Sequence, residues 1–183
     1  MTLIECFNSN ECKTGYPFEK SKWDNMANSD IKSNRDIHSH TNCYSYAFNK
    51  INNAKKGDKI HGIDIHTKHQ PGVLSGEKYR DYDCTEIMEK VKKDWNWYSI
   101  EECTLEEKLP CNRYRIALVI DNSGKHKDYH FYRQDNNGYW SHKMGSKKVS
   151  NIDACNKAIK DPKEACRNYD KKNNDKYNYN IFC

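Results

Sequence analysis

Tyr114-Arg115-Ile116-Ala117-Leu118-Val119-Ile120-Asp121 carries five apolar residues without a break, Ile116 to Ile120. Such a run, rich in β-branched side chains and showing no alternation, predicts a strand buried on both faces. Asn122-Ser123-Gly124 then turns the chain. From Lys127 to Gln134 the pattern alternates, with Tyr129, Phe131 and Arg133 on one side and His130, Tyr132 and Gln134 on the other. Asp135-Asn136-Asn137-Gly138 has hairpin-turn chemistry, and Tyr139 to Lys143 returns as the next strand. An antiparallel meander is therefore expected at the centre.

Upstream, Cys84 to Trp97 reads as a helix, with Asp83 and Thr85 suited to capping and Ile87, Met88, Val91 and Trp95 on one stripe. A second small helix is expected over about 101–108, before Pro110. Further back lies His38-Ser39-His40-Thr41-Asn42-Cys43-Tyr44-Ser45-Tyr46-Ala47-Phe48-Asn49. Thr41 or Asn42 can cap a helix of about 42–53, whose stripe is Tyr44, Ala47, Phe48 and Ile51. Helices and antiparallel strands are therefore expected around one core. Residues 1–36 read as an irregular N-terminal arm over that core, 37–150 as the core, and 151–183 as a C-terminal extension packed on it. The extension is expected to hold short helical pieces near 154–159 and 162–168. Its last triplet, Ile181-Phe182-Cys183, points to a tail that is tied down.

A chain of 183 residues suits one domain with a real core. Apolar residues make up only 36%, so the aromatics, at 12%, must supply much of the buried area. Net charge is +5, but acidic pairs such as Glu101-Glu102 and Glu106-Glu107 interrupt the basic residues, and no nucleic-acid-binding stripe results. There is no transmembrane run. The nine cysteines (6, 12, 43, 84, 103, 111, 155, 166 and 183) contain no Cys-x-x-Cys knuckle, which argues against a zinc ribbon. Eight paired and one reactive is the arithmetic of an oxidised thiol enzyme. Met1-Thr2-Leu3-Ile4-Glu5 has neither a basic n-region nor an apolar h-region, so it reads as no signal peptide. An oxidising setting reached by an unusual export route, or a virion, reconciles the two observations. Reduced cytosolic cysteines are the competing reading.

Cys43 falls in the first turn of its expected helix, where the partial positive charge of the N-terminus favours thiolate over thiol. That makes it a nucleophile candidate; a small buried hydrophobe is the plainer role. A nucleophilic cysteine needs a base, and the base an orienting group. His130 is the best base and His142 the best orienter. With a three-residue loop, Asn136-Asn137-Gly138, Tyr132 opposes His142, and His130 is its diagonal neighbour on the same face at roughly 7 Å or less. With a two-residue turn, His142 opposes Arg133 and points away. Two ordinary half-exposed sheet histidines are the plainer reading of this pair. His61, His66 and His69 match no helical ligand pair, so a solvated loop is preferred there to a metal site.

Asn42-Cys43-Tyr44-Ser45-Tyr46-Ala47, Gln70-Pro71-Gly72, Asp128-Tyr129-His130-Phe131-Tyr132 and Trp140-Ser141-His142-Lys143 occur in that order over about 40–145. This arrangement resembles the NlpC/P60 superfamily of papain-like cysteine peptidases and amidases. The resemblance implies an α+β, papain-like core, its nucleophile helix packed on an antiparallel sheet, with Cys43 as nucleophile, His130 as base and His142 as its orienting residue. It also implies a peptide or amide substrate, peptidoglycan-type peptides among them, cleaved through a thioester with no metal and no organic cofactor. The Cys43 backbone N–H is then a natural oxyanion donor, with His40, Ser39 and Asn42 as candidate second donors. The chain departs from the family in its Asn-Cys-Tyr start, the lack of an Asp after the Pro-Gly turn, and its cysteine count. The rival class is a catalytically silent structural or binding protein that keeps the fold.

Overall fold

A computed structural model describes residues 1–5, 14–24, 37–52, 54–65, 68–123, 126–169 and 177–183. In chain order the elements are β1 (Thr2–Glu5), α1 (Lys20–Asp24), α2 (Ile37–His40), α3 (Cys43–Ala47), β2 (Lys59–Ile60), β3 (Ile63–Asp64) and α4 (Cys84–Asp94). They continue with β4 (Ile100–Glu102), β5 (Arg113–Asp121), β6 (Asp128–Gln134), β7 (Trp140–Lys143), β8 (Val149–Ser150) and β9 (Ile181–Phe182). Seven strands form one sheet in the order β4-β1-β5-β6-β7-β8, with β9 also paired to β5, and all of these pairings are antiparallel. The protein is α+β. None of the described helices is long and apolar enough to cross a membrane.

β5 is buried on both faces, as its unbroken apolar run predicts. Ile116, Leu118 and Ile120 face a core that contains Ile87 and Val91 of α4 and Tyr44, Ala47 and Phe48 around α3. Ala117 and Val119 face a second core with Tyr132, Trp140, Ile159, Tyr169 and Tyr179. Aromatic rings fill much of the first core: Phe48 stacks on Trp95 at 4.8 Å, and Tyr44 meets Phe131 at 5.4 Å. Large rings thus supply the burial that the small apolar fraction leaves short.

Four local expectations are corrected. Thr2–Glu5, placed in an irregular arm, is a strand between β4 and β5. Residues 100–102, expected at the start of a small helix, extend to pair with β1 instead. The helix that begins at Cys43 ends after Ala47 rather than near residue 53, because Asn49 takes a left-handed conformation (φ 51°). Asn is the non-glycine residue that tolerates this best, so Phe48-Asn49 is the stop signal, ahead of Asn52-Asn53. The pieces near 154–159 and 162–168 form turns and bridges. Asp153 accepts from the backbone N–H groups of Cys155, Lys157 and Cys166, and this competes with any helix there.

The Cys155–Cys166 disulfide closes that same loop. The C-terminal tail is tied down as expected, through β9 and the Cys84–Cys183 disulfide. Cys111 is also disulfide-bonded. Cys43 and Cys103 are both free, so the arithmetic of a single unpaired thiol is corrected. Cys6, Cys12 and His66 lie outside the described residues.

Candidate functional site

The β6–β7 register decides whether the two histidines meet. Asn136-Asn137-Gly138 forms a three-residue loop, Gly138 takes φ 83°, and Tyr132 pairs with His142. His130 and His142 are therefore on one face, and His130 Nε2 lies 2.8 Å from His142 Nδ1, both side chains buried. The far nitrogen of His142, Nε2, is 3.2 Å from the carbonyl oxygen of Ile152. A carbonyl only accepts, so Nε2 carries the hydrogen and Nδ1 of the neutral ring is the acceptor. His130 then donates from Nε2, which leaves its Nδ1 as a lone pair. Burial holds His142 down to about 4, and burial plus the neighbouring His142 holds His130 well below the ordinary histidine range. Both rings are neutral at physiological pH.

Cys43 is placed by the start of α3. Asn42 caps the helix, its Oδ1 accepting from the Ser45 N–H at 3.0 Å and its Nδ2 donating to the His69 carbonyl at 2.7 Å. Cys43 belongs to the core cluster that holds Tyr129 and Phe131, and His130 meets the rings of Tyr132 and Tyr179. β7 pairs with β6 only over Tyr132 to Gln134, and a cavity of about 400 Å³ is lined by the earlier part of β6. Cys43, His130, Asp128, Gln70, Lys147 and Tyr179 all line it. Burial pushes the Cys43 thiol up to about 12, the Asp128 carboxylate adds to this, and nearby backbone N–H groups pull the other way. The expectation of a thiolate favoured by the helix start is thus corrected. A helix of five residues has too few aligned peptide dipoles to outweigh burial.

Of the candidate second oxyanion donors, Asn42 lines the cavity, but both ends of its amide are already engaged. Ser39 and His40 sit in α2, bonded to each other at 3.0 Å, and do not line it. Residue spacing missed Asp128 and Tyr179. Tyr179 stacks on His130 at 5.3 Å and donates to Asp128 at 2.7 Å. It reaches the site from the tail, and only the tail's closing apolar-cysteine triplet hinted that this segment docks.

The Gln70-Pro71-Gly72 turn is fixed from behind. Gly72 N–H donates to Asp94 Oδ2 at 2.7 Å and Ser75 N–H to Asp94 Oδ1 at 2.8 Å. Gly72 has φ +86°, and a Cβ there would lie 2.1 Å from the Glu77 carbonyl, so only glycine fits. In front, Gln70 Oε1 accepts from the Tyr129 hydroxyl. Among the described residues no group of three or more His, Cys, Asp or Glu side chains is arranged to hold a metal ion.

Insoluble matrix shell protein 1 of Ruditapes philippinarum is 35% identical to the chain over 131 residues, 72% of this chain and 74% of that protein. The chain belongs to the family of that protein. This member of the insoluble matrix shell protein 1 family matches no family model and no solved structure.

Proposed function

We propose that this chain is a disulfide-stapled structural or binding component of an insoluble extracellular matrix, with its cysteine–histidine cavity catalytically silent at rest. The observation that carries this reading is the relationship to insoluble matrix shell protein 1. The disulfides fit an oxidising exterior, and a protonated, buried Cys43 beside a neutral His130 fits a resting site. An antibody against the chain, applied to extracellular material extracted with detergent and weak acid, tests it. Signal is expected in the insoluble residue. Signal confined to soluble fluids overturns the reading.

A second reading, a thiol hydrolase of papain-like, NlpC/P60-type core, is favoured by the 2.8 Å His130–His142 contact and the free lone pair it leaves on His130. In that reading His130 Nδ1 takes the Cys43 proton as the sulfur attacks an amide carbonyl. His142 holds the imidazolium in place, and a thioester forms before water releases the acyl group. The Cys43 N–H supplies an oxyanion donor. Iodoacetamide labelling of native protein near neutral pH, with peptide mapping, separates the two readings. Rapid labelling of Cys43 that falls at least tenfold in His130→Ala supports the hydrolase. Slow labelling that is indifferent to His130 supports the silent site.

A further inference from the structure

Residues 177–183 lie across the end of the sheet that carries the Cys43–His130 cavity. Ile181 and Phe182 pair with Ile120 and Val119 as β9, and Cys183 N–H donates to the Leu118 carbonyl at 3.0 Å. Val119 pairs with His130 on its other side, so Phe182, Val119 and His130 share one row across β9, β5 and β6. Just before β9, the segment meets the ends of both central strands. Asn178 N–H donates to Asp121 Oδ2 at 2.8 Å, and the Tyr179 hydroxyl donates to Asp128 Oδ2 at 2.7 Å. Asp121 closes β5, Asp128 opens β6, and the two oppose each other. The Tyr179 ring lies on His130 at 5.3 Å, and Tyr177 stacks on Tyr179 at 6.0 Å. Both tyrosines line the cavity. With them in place, Cys43 is 5% exposed and His130 2%.

We propose that residues 177–183 are an autoinhibitory strap over the Cys43–His130 site, locked by the Cys84–Cys183 disulfide and released when an external dithiol reduces it. The proposal rests on the reading of a site silent at rest and names what keeps it so. β9 pairs with β5 over two residues, and so short a ladder supplies little hold of its own. Backbone bonds with Arg167 and Tyr169 tie Tyr177 and Tyr179 to a neighbouring loop as well. The covalent hold is the disulfide, which joins the segment to the start of α4. Both of its cysteines are half-buried, within reach of a small thiol, whereas Cys43 is buried. A thiolate of the dithiol attacks the Cys183 sulfur, and the Cys84 sulfur leaves with the electron pair of the broken bond. α4 is eleven residues long, and its N-terminal field favours that departure. The second sulfur of the dithiol then displaces Cys183. The dithiol ends as a disulfide, having given two electrons and two protons, and Cys84 and Cys183 end as thiols. Tyr177 and Tyr179 are then free to leave His130 and uncover the Cys43 sulfur.

The test compares the full wild-type chain with a Cys84→Ser, Cys183→Ser double variant, which lacks the lock. Iodoacetamide labelling of Cys43 at pH 8 is followed by peptide mapping, and hydrogen exchange is followed over 177–183. In the double variant Cys43 should label about tenfold faster or more, with faster exchange over 177–183. The faster rate should not change in about 0.5 M urea, because the opening is local rather than global. Tyr179→Ala keeps the disulfide and removes the ring from His130, and it should raise Cys43 labelling about fivefold. Unchanged labelling in both variants, with the wild type slow, overturns the strap and leaves the silent site standing. Unchanged exchange over 177–183 in the double variant shows that the disulfide is no lock and overturns the proposal too. Rapid labelling of Cys43 in the wild type removes the silent site itself, and the strap with it.

Discussion

Two buried polar networks flank the central strands, and they are finished differently. On the α4 side, Asp94 accepts from Tyr44, Gly72 and Ser75, while Trp95 Nε1 donates to the Tyr44 hydroxyl at 2.8 Å. Every member has a partner, and the network ties α3, α4 and the Pro71-Gly72 turn together. Asp94 ends α4, where the helix field disfavours an anion, so the loop N–H groups are what make it tolerable there. On the other side, the chain from Ile152 through His142 to His130 ends on a nitrogen lone pair. A closed network is a staple. An open one lining a cavity keeps a base neutral and available, at a cost in desolvation.

The largest effect is expected from opening the closed network. Asp94→Ala strands two buried donors and one part-buried one and should lower stability by about 4 kcal/mol in urea unfolding. A loss under 1 kcal/mol would mean that water replaces the carboxylate and that the two networks do not differ in kind.

The open network should show itself in acid. Both histidines have depressed folded-state pKa values, so the unfolded chain binds their protons first as pH falls below about 6.5. Their contribution is complete above that pH and is lost on acidification toward about 4. From His142 alone the loss is on the order of 3 kcal/mol. Unfolding free energies measured across this window should slope less steeply in His142→Asn than in the wild type. Equal slopes would place the charge change elsewhere.

Asn42 lies within the closed side, tying the start of α3 to the segment that leads into the Asp94-held turn, through the Ser45 N–H and the His69 carbonyl. Asn42→Ala should cost about 2 kcal/mol, one cap plus one buried hydrogen bond. Asn42→Ser, which keeps the cap oxygen, should recover about half of that. If serine recovers everything, the tie to His69 carries no weight and the closed side is held by Asp94 alone.

The sequence made the open network more legible than the closed one. Alternation over Lys127 to Gln134 and the glycine at Gly138 are local signals, and together they set the register that brings His130 to His142. The helix stop at Asn49 was also local, but two candidate stops lay close together and hydrophobic spacing favoured the later one. β1 and β4 were hidden because each is short, and β4 extends only by pairing with β1, which in turn pairs with β5, contacts that no window of sequence displays. Nothing in the sequence beside Asp94 marks it, since its three partners come from residues 44, 72 and 75. Tyr179 reaches the cavity across 51 positions of sequence from Asp128, so spacing held no trace of it.

The smallest expected effect concerns the charge that faces the thiol. Asp128 lines the cavity with Cys43, and its carboxylate adds to the burial that keeps the thiol protonated. Asp128→Asn removes that charge while keeping an oxygen to accept the Tyr179 hydroxyl. The Cys43 pKa should fall, and alkylation at pH 8 should rise by up to about tenfold, one pKa unit. Tyr179→Phe, which removes the hydroxyl and keeps the ring on His130, should leave the rate within about twofold, since it takes no charge away. A rise in the first variant alone identifies Asp128 as an electrostatic brake on the open network. Equal rises in both would show instead that the tail, by packing over the cavity, keeps reagents from the sulfur.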